Sequence, residues 1–457
     1  MFLYNVCGDT MKRKIEQDLI QWKNKKNKKP LIIKGARQVG KTYSIREFAR
    51  IEYAHLIEIN FEKDLPFREI FQKTHNPKDL IPFFELSFPS IPLDHTTLFF
   101  MDEVQACPDA LTTLKFMAED FPCDIICSGS LLGVAIARTT SFPVGYVESI
   151  QMFPLSFQEF LDALQISSSL LDSVKKAITN QTPLPEILHE KMNELFNTYM
   201  LVGGMPAVVK EYIETKSFAN TLNMQRRIVN DYLNDMIKYA SANEALRIRE
   251  CFSSIPLQLA KENQKFQYSL IHKGYNARHY DASLTWLEDS GLILKVHRLS
   301  NIQHPLKIQQ ELAVFKVFMS DSGLLLSQLD DETIRQILLG NLGIYKGAIY
   351  ENIITQTFAL QNKTAYYYEP NQHSEIDFII EYEGHITPIE IKAGKHTTSV
   401  SFKNFVKKYH PEIAFRLSQK NIGKDDDLNT YFYPLYALEF ILDQEKKLFE
   451  LPNTDSV

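Results

Sequence analysis

Gly35-Ala36-Arg37-Gln38-Val39-Gly40-Lys41-Thr42 has the spacing G-x-x-x-x-G-K-[ST]. Glycines let a backbone wrap closely around phosphates, and a following helix N-terminus turns its free N–H groups toward negative charge. Lys41 is then the side-chain cation for the β- and γ-phosphates, and the Thr42 hydroxyl suits a Mg2+ ion. With Tyr43, which opens the next helical stretch, these residues form the expected binding segment for ATP and Mg2+. Further along, Leu98-Phe99-Phe100-Met101-Asp102-Glu103 runs apolar and then ends in two acids. Asp102 is placed to hold Mg2+ beside the phosphate loop, and Glu103 to polarise the attacking water as general base. Cys123–Cys127 ends in Ser128-Gly129-Ser130. Ser128 is either a sensor of the γ-phosphate or lytic water, or only turn chemistry. Arg138 is either a source of transition-state charge or an ordinary surface arginine.

These residues need a parallel sheet to bring them together. LIIKG, HLIEINF, TLFFMDE and CDIICSGS are short apolar runs separated by helical segments, the pattern of strands buried on both faces. A three-layer α/β domain is expected over residues 11–165. A helix is expected over residues 12–29, ending in the basic run K-N-K-K-N-K-K, which is either solvated surface or a nucleic-acid contact. Residues 166–244 turn helical, interrupted by L-V-G-G-M-P. Residues 245–300 carry three short helices and a strand pair, the outline of a winged helix. Residues 301–457 close the chain as a last α/β unit.

Composition bounds the function classes. The chain has 457 residues, 44% hydrophobic and 23% charged, which excludes wholesale disorder. The net charge of −6 excludes a uniformly basic nucleic-acid coat, so any DNA contact must come from a local patch. Five cysteines without a CxxC pair read as reduced thiols. No apolar run is long enough to span a bilayer, and MFLYNVCGDT lacks the plan of a signal peptide. These ten residues read as a loose extension before Met11, and the expected location is cytoplasmic, with no membrane partner.

The phosphate loop, FFMDEVQ, CSGSLLG and the stretch FPVGYVESIQMFPLSFQEFL resemble the prokaryotic AAA-type ATPases that carry a C-terminal nuclease-like domain of unknown function. GGMP (203–206), DYLNDM, SDSGLL (320–325) and GAIYEN (347–352) agree, so the resemblance covers nearly the whole chain from Met11. Relatives often have a basic residue where this chain has Tyr146, which leaves the source of an arginine finger open.

Asp377 lies in EIDFII, and Glu390 and Lys392 lie in IEIKA. Strand alternation puts Ile376, Phe378 and Ile380 on one face and Asp377 and Ile379 on the other, and turns Glu390 and Lys392 away from Ile389 and Ile391. The D…ExK spacing is that of the PD-(D/E)xK nuclease-like fold. Such a site uses carboxylates to hold a divalent ion and a lysine to orient water. Glu351, on the preceding helix, is a fourth candidate. The plainer alternative is a surface Glu390–Lys392 pair. In the winged-helix stretch, Lys273, Arg278, His279, Lys295, His297 and Arg298 are candidate phosphate contacts. Asp281, Glu288 and Asp289 share that helix, so a purely packing role stays open.

The reading is thus an ATP-hydrolysing switch or motor. Its nucleotide state would be relayed to a nuclease-like domain in nucleic-acid processing or defence. The alternative is a regulatory switch whose C-terminal domain binds a protein partner, or a second copy of the chain, and cuts nothing.

Overall fold

The computed structural model describes residues 11–138, 142–261, 264–339, 341, 345–371, 374–392 and 400–449. The ten N-terminal residues, including Cys7, lie outside them. Five strands, β1 (Leu31–Lys34), β2 (His55–Asn60), β3 (Thr97–Asp102), β4 (Asp124–Ser128) and β5 (Glu148–Gln151), form a sheet in the order β2-β3-β4-β1-β5. All four pairings are parallel. Both faces are covered, as continuous apolar runs demand. Ile32, Ile57, Phe99, Met101 and Ile125 pack with Phe71, Phe84, Leu111 and Leu114 of the helices Leu65–Lys73, Pro77–Ser87 and Pro108–Asp120. Leu31, Ile33, Leu98, Phe100 and Ile126 are buried too, and the helix Lys41–Glu52 packs on β2, β3 and β4. The three-layer expectation holds.

The chain divides into two compact units. One is 1–155 with Thr285–Leu292, and the other is Ser156–Leu284 with Ile293–Val457. The boundaries expected after 165, 244 and 300 therefore lie inside the second unit. That unit begins with the expected helices, from Phe157–Ala163 to Ala242–Leu259. It ends in an eight-stranded mixed sheet of β6 (Ile293–Leu299), β7 (Gln310–Met319), β8 (Tyr366–Asn371), β9 (Ser374–Tyr382), β10 (His385–Ile391), β11 (Ala414–Ser418), β12 (Gly423–Asp425) and β13 (Thr430–Pro434). The order is β12-β13-β11-β10-β9-β8-β6-β7.

Residue 300 lies between two paired strands. β6 pairs antiparallel with β7 and parallel with β8, so the expected wing is part of the C-terminal sheet. The stretch expected to form the winged helix contains the helices Ala242–Leu259 and Ala277–Asp289, the one-turn helix Tyr268–Leu270 and the strands β6 and β7.

The first helix is shorter than expected. It spans Ile15–Lys23, because Asn24 caps it and the Trp22 indole donates to the Lys29 carbonyl at 2.8 Å, folding the chain back. The basic run beyond it is tied down. Lys28 pairs with Asp124 at 2.6 Å and Lys25 with Glu148 at 2.5 Å. Among the described residues no helix is long and apolar enough to cross a membrane.

Candidate nucleotide and carboxylate sites

β1 ends at Lys34, and the loop Gly35–Gly40 turns into the helix Lys41–Glu52. Two glycines are required there. Gly35 has φ +147°, and a Cβ on it would lie 2.2 Å from the Met152 carbonyl. Gly40, at φ 98°, caps the helix in a left-handed conformation that a side chain resists. Arg13 supports the loop from outside the motif. Its guanidinium donates to the carbonyls of Val39 and Phe153, each at 2.8 Å.

Lys41 is folded into the loop, its ammonium donating to the carbonyls of Gly35 (2.9 Å) and Ala36 (2.8 Å). Burial lowers its pKa to about 8, although Glu103 and Asp102 pull it back up. Incoming phosphates would meet an ammonium already aimed at the loop's interior.

Asp102, at the end of β3, gathers four donors. Thr42 Oγ1 and Asn60 Nδ2 donate to its Oδ2, each at 3.2 Å. Ser128 Oγ donates to Oδ1 at 2.5 Å, and the Glu103 backbone N–H at 3.0 Å. The parallel register sets Asn60 directly beside Asp102. A hydroxyl next to a buried carboxylate, at the mouth of a phosphate loop, is the donor set that a hydrated Mg2+ requires, so Thr42 and Asp102 fit the ion. Ser128 is fully buried with its hydroxyl on Asp102, so in this structure it fixes the acid.

Glu103 leaves the strand at φ 51°. Its Oε2 accepts from Gln105 Nε2 at 2.5 Å and from Ser130 Oγ at 3.4 Å. Gly129 makes room for this. A Cβ there would sit 2.1 Å from Gln105 Oε1. Tyr43 is 48% exposed at the start of the helix. The side chain of Arg138 lies outside the described residues. At Tyr146 a cation is still close by, with Lys115 Nζ 5.2 Å from the ring centre. Sequence reasoning missed Arg13, Asn60, Gln105 and Ser130. Asn60 and Gln105 were visible as the polar ends of HLIEIN and DEVQ. Arg13 gave no local signal.

Glu351 of the helix Tyr345–Leu360 and Glu390 of β10 both lie close enough to Asp377 of β9 to act on its charge. Burial, then Glu351, then Glu390 push the Asp377 carboxyl well above the usual range. Lys392 pairs with Glu390 as the spacing suggested. The expected alternation is broken, however. A register shift between β8 and β9 pairs Tyr366 with Ile379 and Tyr368 with Ile376. Ile376 and Ile379 therefore share one cluster with Phe402 and Phe405, while Phe378 packs on Phe318 and Phe358. Two residues missed in the sequence complete the neighbourhood. Lys316 of β7 bonds Glu351 Oε2 at 3.0 Å and Glu375 Oε1 at 2.6 Å.

The basic candidates of the winged-helix stretch differ in availability. Lys273 and Arg278 are exposed. Arg298 is engaged by Glu311 (2.6 Å) and Glu369 (3.8 Å), and Lys295 stands 5.6 Å over the Phe315 ring. Trp286 and Leu287 are buried. Cys107, Cys123, Cys127 and Cys251 are free and buried, and burial raises each thiol pKa.

Residues 27–161 match the family described as AAA domain. Residues 193–334 match a domain of unknown function (DUF8612), and residues 346–438 match another (DUF4143). No curated protein matches the chain. Among solved structures, it is similar to the Walker-type ATPase PABY2304 of Pyrococcus abyssi. That match has 17% identity and a TM-score of 0.44, over 70% of this chain and 96% of the other. It is also similar to the Aeropyrum pernix ORC1 protein solved with DNA (9% identity, TM-score 0.28, 71% and 92%). A third is Cdc6p from Pyrobaculum aerophilum (11%, 0.27, 66% and 87%). The family match identifies residues 27–161 as an AAA-type domain.

Proposed function

We propose that this protein binds ATP with Mg2+ and hydrolyses it, and that its nucleotide state governs what the C-terminal domain does. The observation that supports this most is the convergence of Thr42, Asn60 and Ser128 on Asp102, beside a loop already holding Lys41 inward. The loop N–H groups and the Lys41 ammonium would bind the β- and γ-phosphates and orient the terminal phosphoryl group. Thr42 and Asp102 would hold Mg2+, which supplies positive charge opposite the phosphates. Glu103 would take the proton of the attacking water, its carboxylate steadied by Gln105 and Ser130. Lys41→Ala removes the loop's cation. Titration of the full chain with ATP by calorimetry should then show no measurable binding, and wild-type affinity in that variant would refute the site.

For the output, one reading is nucleic-acid processing or defence, supported by the exposed Lys273 and Arg278 and by the D…ExK spacing. The second is a regulatory switch whose C-terminal domain engages a protein or a second copy of the chain. The lysine pairing of the C-terminal carboxylates favours a domain that does not cleave.

A further inference from the structure

A nuclease-like site needs two or more hard carboxylate oxygens free to face a solvated divalent ion. In the C-terminal cluster a lysine already stands among the acids. Lys316 rises from the middle of β7 with its side chain 3% exposed. Its ammonium bridges Glu351 Oε2 and Glu375 Oε1, and the Tyr367 ring centre is 5.2 Å away. The other oxygen of Glu351 accepts from Gln264 Nε2 at 3.0 Å. Asp377 Oδ2 accepts the Ile391 backbone N–H at 2.7 Å, and Glu390 holds Lys392. Each of the four acids thus has at least one oxygen committed to a donor of the protein itself, while Glu390 Oε2 is buried without a hydrogen-bond partner. Among the described residues, no group of three or more His, Cys, Asp or Glu side chains could hold a metal ion.

We infer that Lys316 is the resident cation of this carboxylate cluster and takes the place a divalent metal would need, so the C-terminal domain does not cut nucleic acid by metal-assisted hydrolysis. A buried ion pair is tolerated only where charge and hydrogen bonds are well matched, and Lys316 meets that condition with two carboxylates and an aromatic face. Burial alone would lower its pKa, but Glu351, Glu375 and Asp377 reverse that and raise it, which keeps the ammonium charged. Removing the lysine leaves three neighbouring acids without their cation, the condition under which hard oxygens recruit a divalent ion.

The inference is independent of ATP hydrolysis at the phosphate loop, which phosphate release reads separately. The test is Mn2+ titration of the nucleotide-free full chain, followed by electron paramagnetic resonance. Wild type and Asp377→Asn should bind the same amount of Mn2+. Lys316→Met should gain a site that a second substitution, Asp377→Asn, removes again, and its melting temperature should rise with Mn2+. A wild-type site that disappears in Asp377→Asn would overturn the inference, as would a folded Lys316→Met that gains no Mn2+. If Lys316→Met does not fold, the comparison of wild type with Asp377→Asn still decides.

Discussion

Lys41 is a buried lysine whose ammonium donates to two loop carbonyls, and burial holds its pKa near 8. Phosphate binding needs the ammonium, so above that pH the protein must take up a proton before it binds. ATP affinity should be level to about pH 7.5 and fall about tenfold by pH 9. Lys41→Arg, whose charge does not titrate in this range, should bind ATP with no such slope. Calorimetry across about pH 6.5 to 9 checks this, and a flat wild-type curve would contradict it. At this scale the sequence was most informative where function depends on close spacing. Lys41, Thr42, Asp102 and Glu103 announce themselves through G-K-T and an apolar run ending in D-E. Asn60 and Arg13 do not, because strand pairing and tertiary folding bring them to the loop. Lys316 was hidden for the same reason. It sits in FKVFM of β7, and only the folded chain brings it against Glu351 and Glu375.

Between elements, the G-G-M-P loop and the S-D-S-G segment explain one another. Asp321 is fully buried, and its carboxylate accepts backbone N–H groups from Gly204 (2.7 Å) and Leu324 (2.9 Å). Gly203, at φ +73°, passes so close that a Cβ would lie 2.3 Å from Asp321 Oδ1. This contact joins the helices Glu186–Val202 and Pro206–Thr215 to the end of β7. Burial raises the Asp321 pKa to about 6 against the pull of those N–H groups. Its protonated form is therefore favoured by folding. The stability it lends is complete below about pH 4 and disappears as the pH rises through about 6, on the order of 3 kcal/mol by pH 7. Asp321→Asn should remove that part of the pH dependence in urea unfolding, and Gly203→Ala should destabilise by a few kcal/mol at any pH. An unchanged pH profile in Asp321→Asn would refute this role of Asp321. Element types were mostly legible, because uninterrupted apolar runs mark buried parallel strands. Register was not. Two register shifts between β8 and β9 defeat strict alternation around Asp377, and β11 to β13 carry no motif.

For the whole molecule, a net charge of −6 means that DNA binding must rest on local residues such as Lys273 and Arg278. Replacing both by Ala should weaken DNA binding and flatten its salt dependence by about 0.9 for each phosphate no longer neutralised. Unchanged affinity and slope would return them to ordinary surface and favour the protein-switch reading. Either output requires that the full chain turn over ATP through the acids at the end of β3. The most direct measurement is steady-state phosphate release by the full chain, wild type against Glu103→Gln, with ATP binding measured in parallel. An amide cannot take the proton of the attacking water, so Glu103→Gln should bind ATP as wild type does and hydrolyse it about 10²- to 10⁴-fold more slowly. Equal phosphate release by the two proteins would contradict the account.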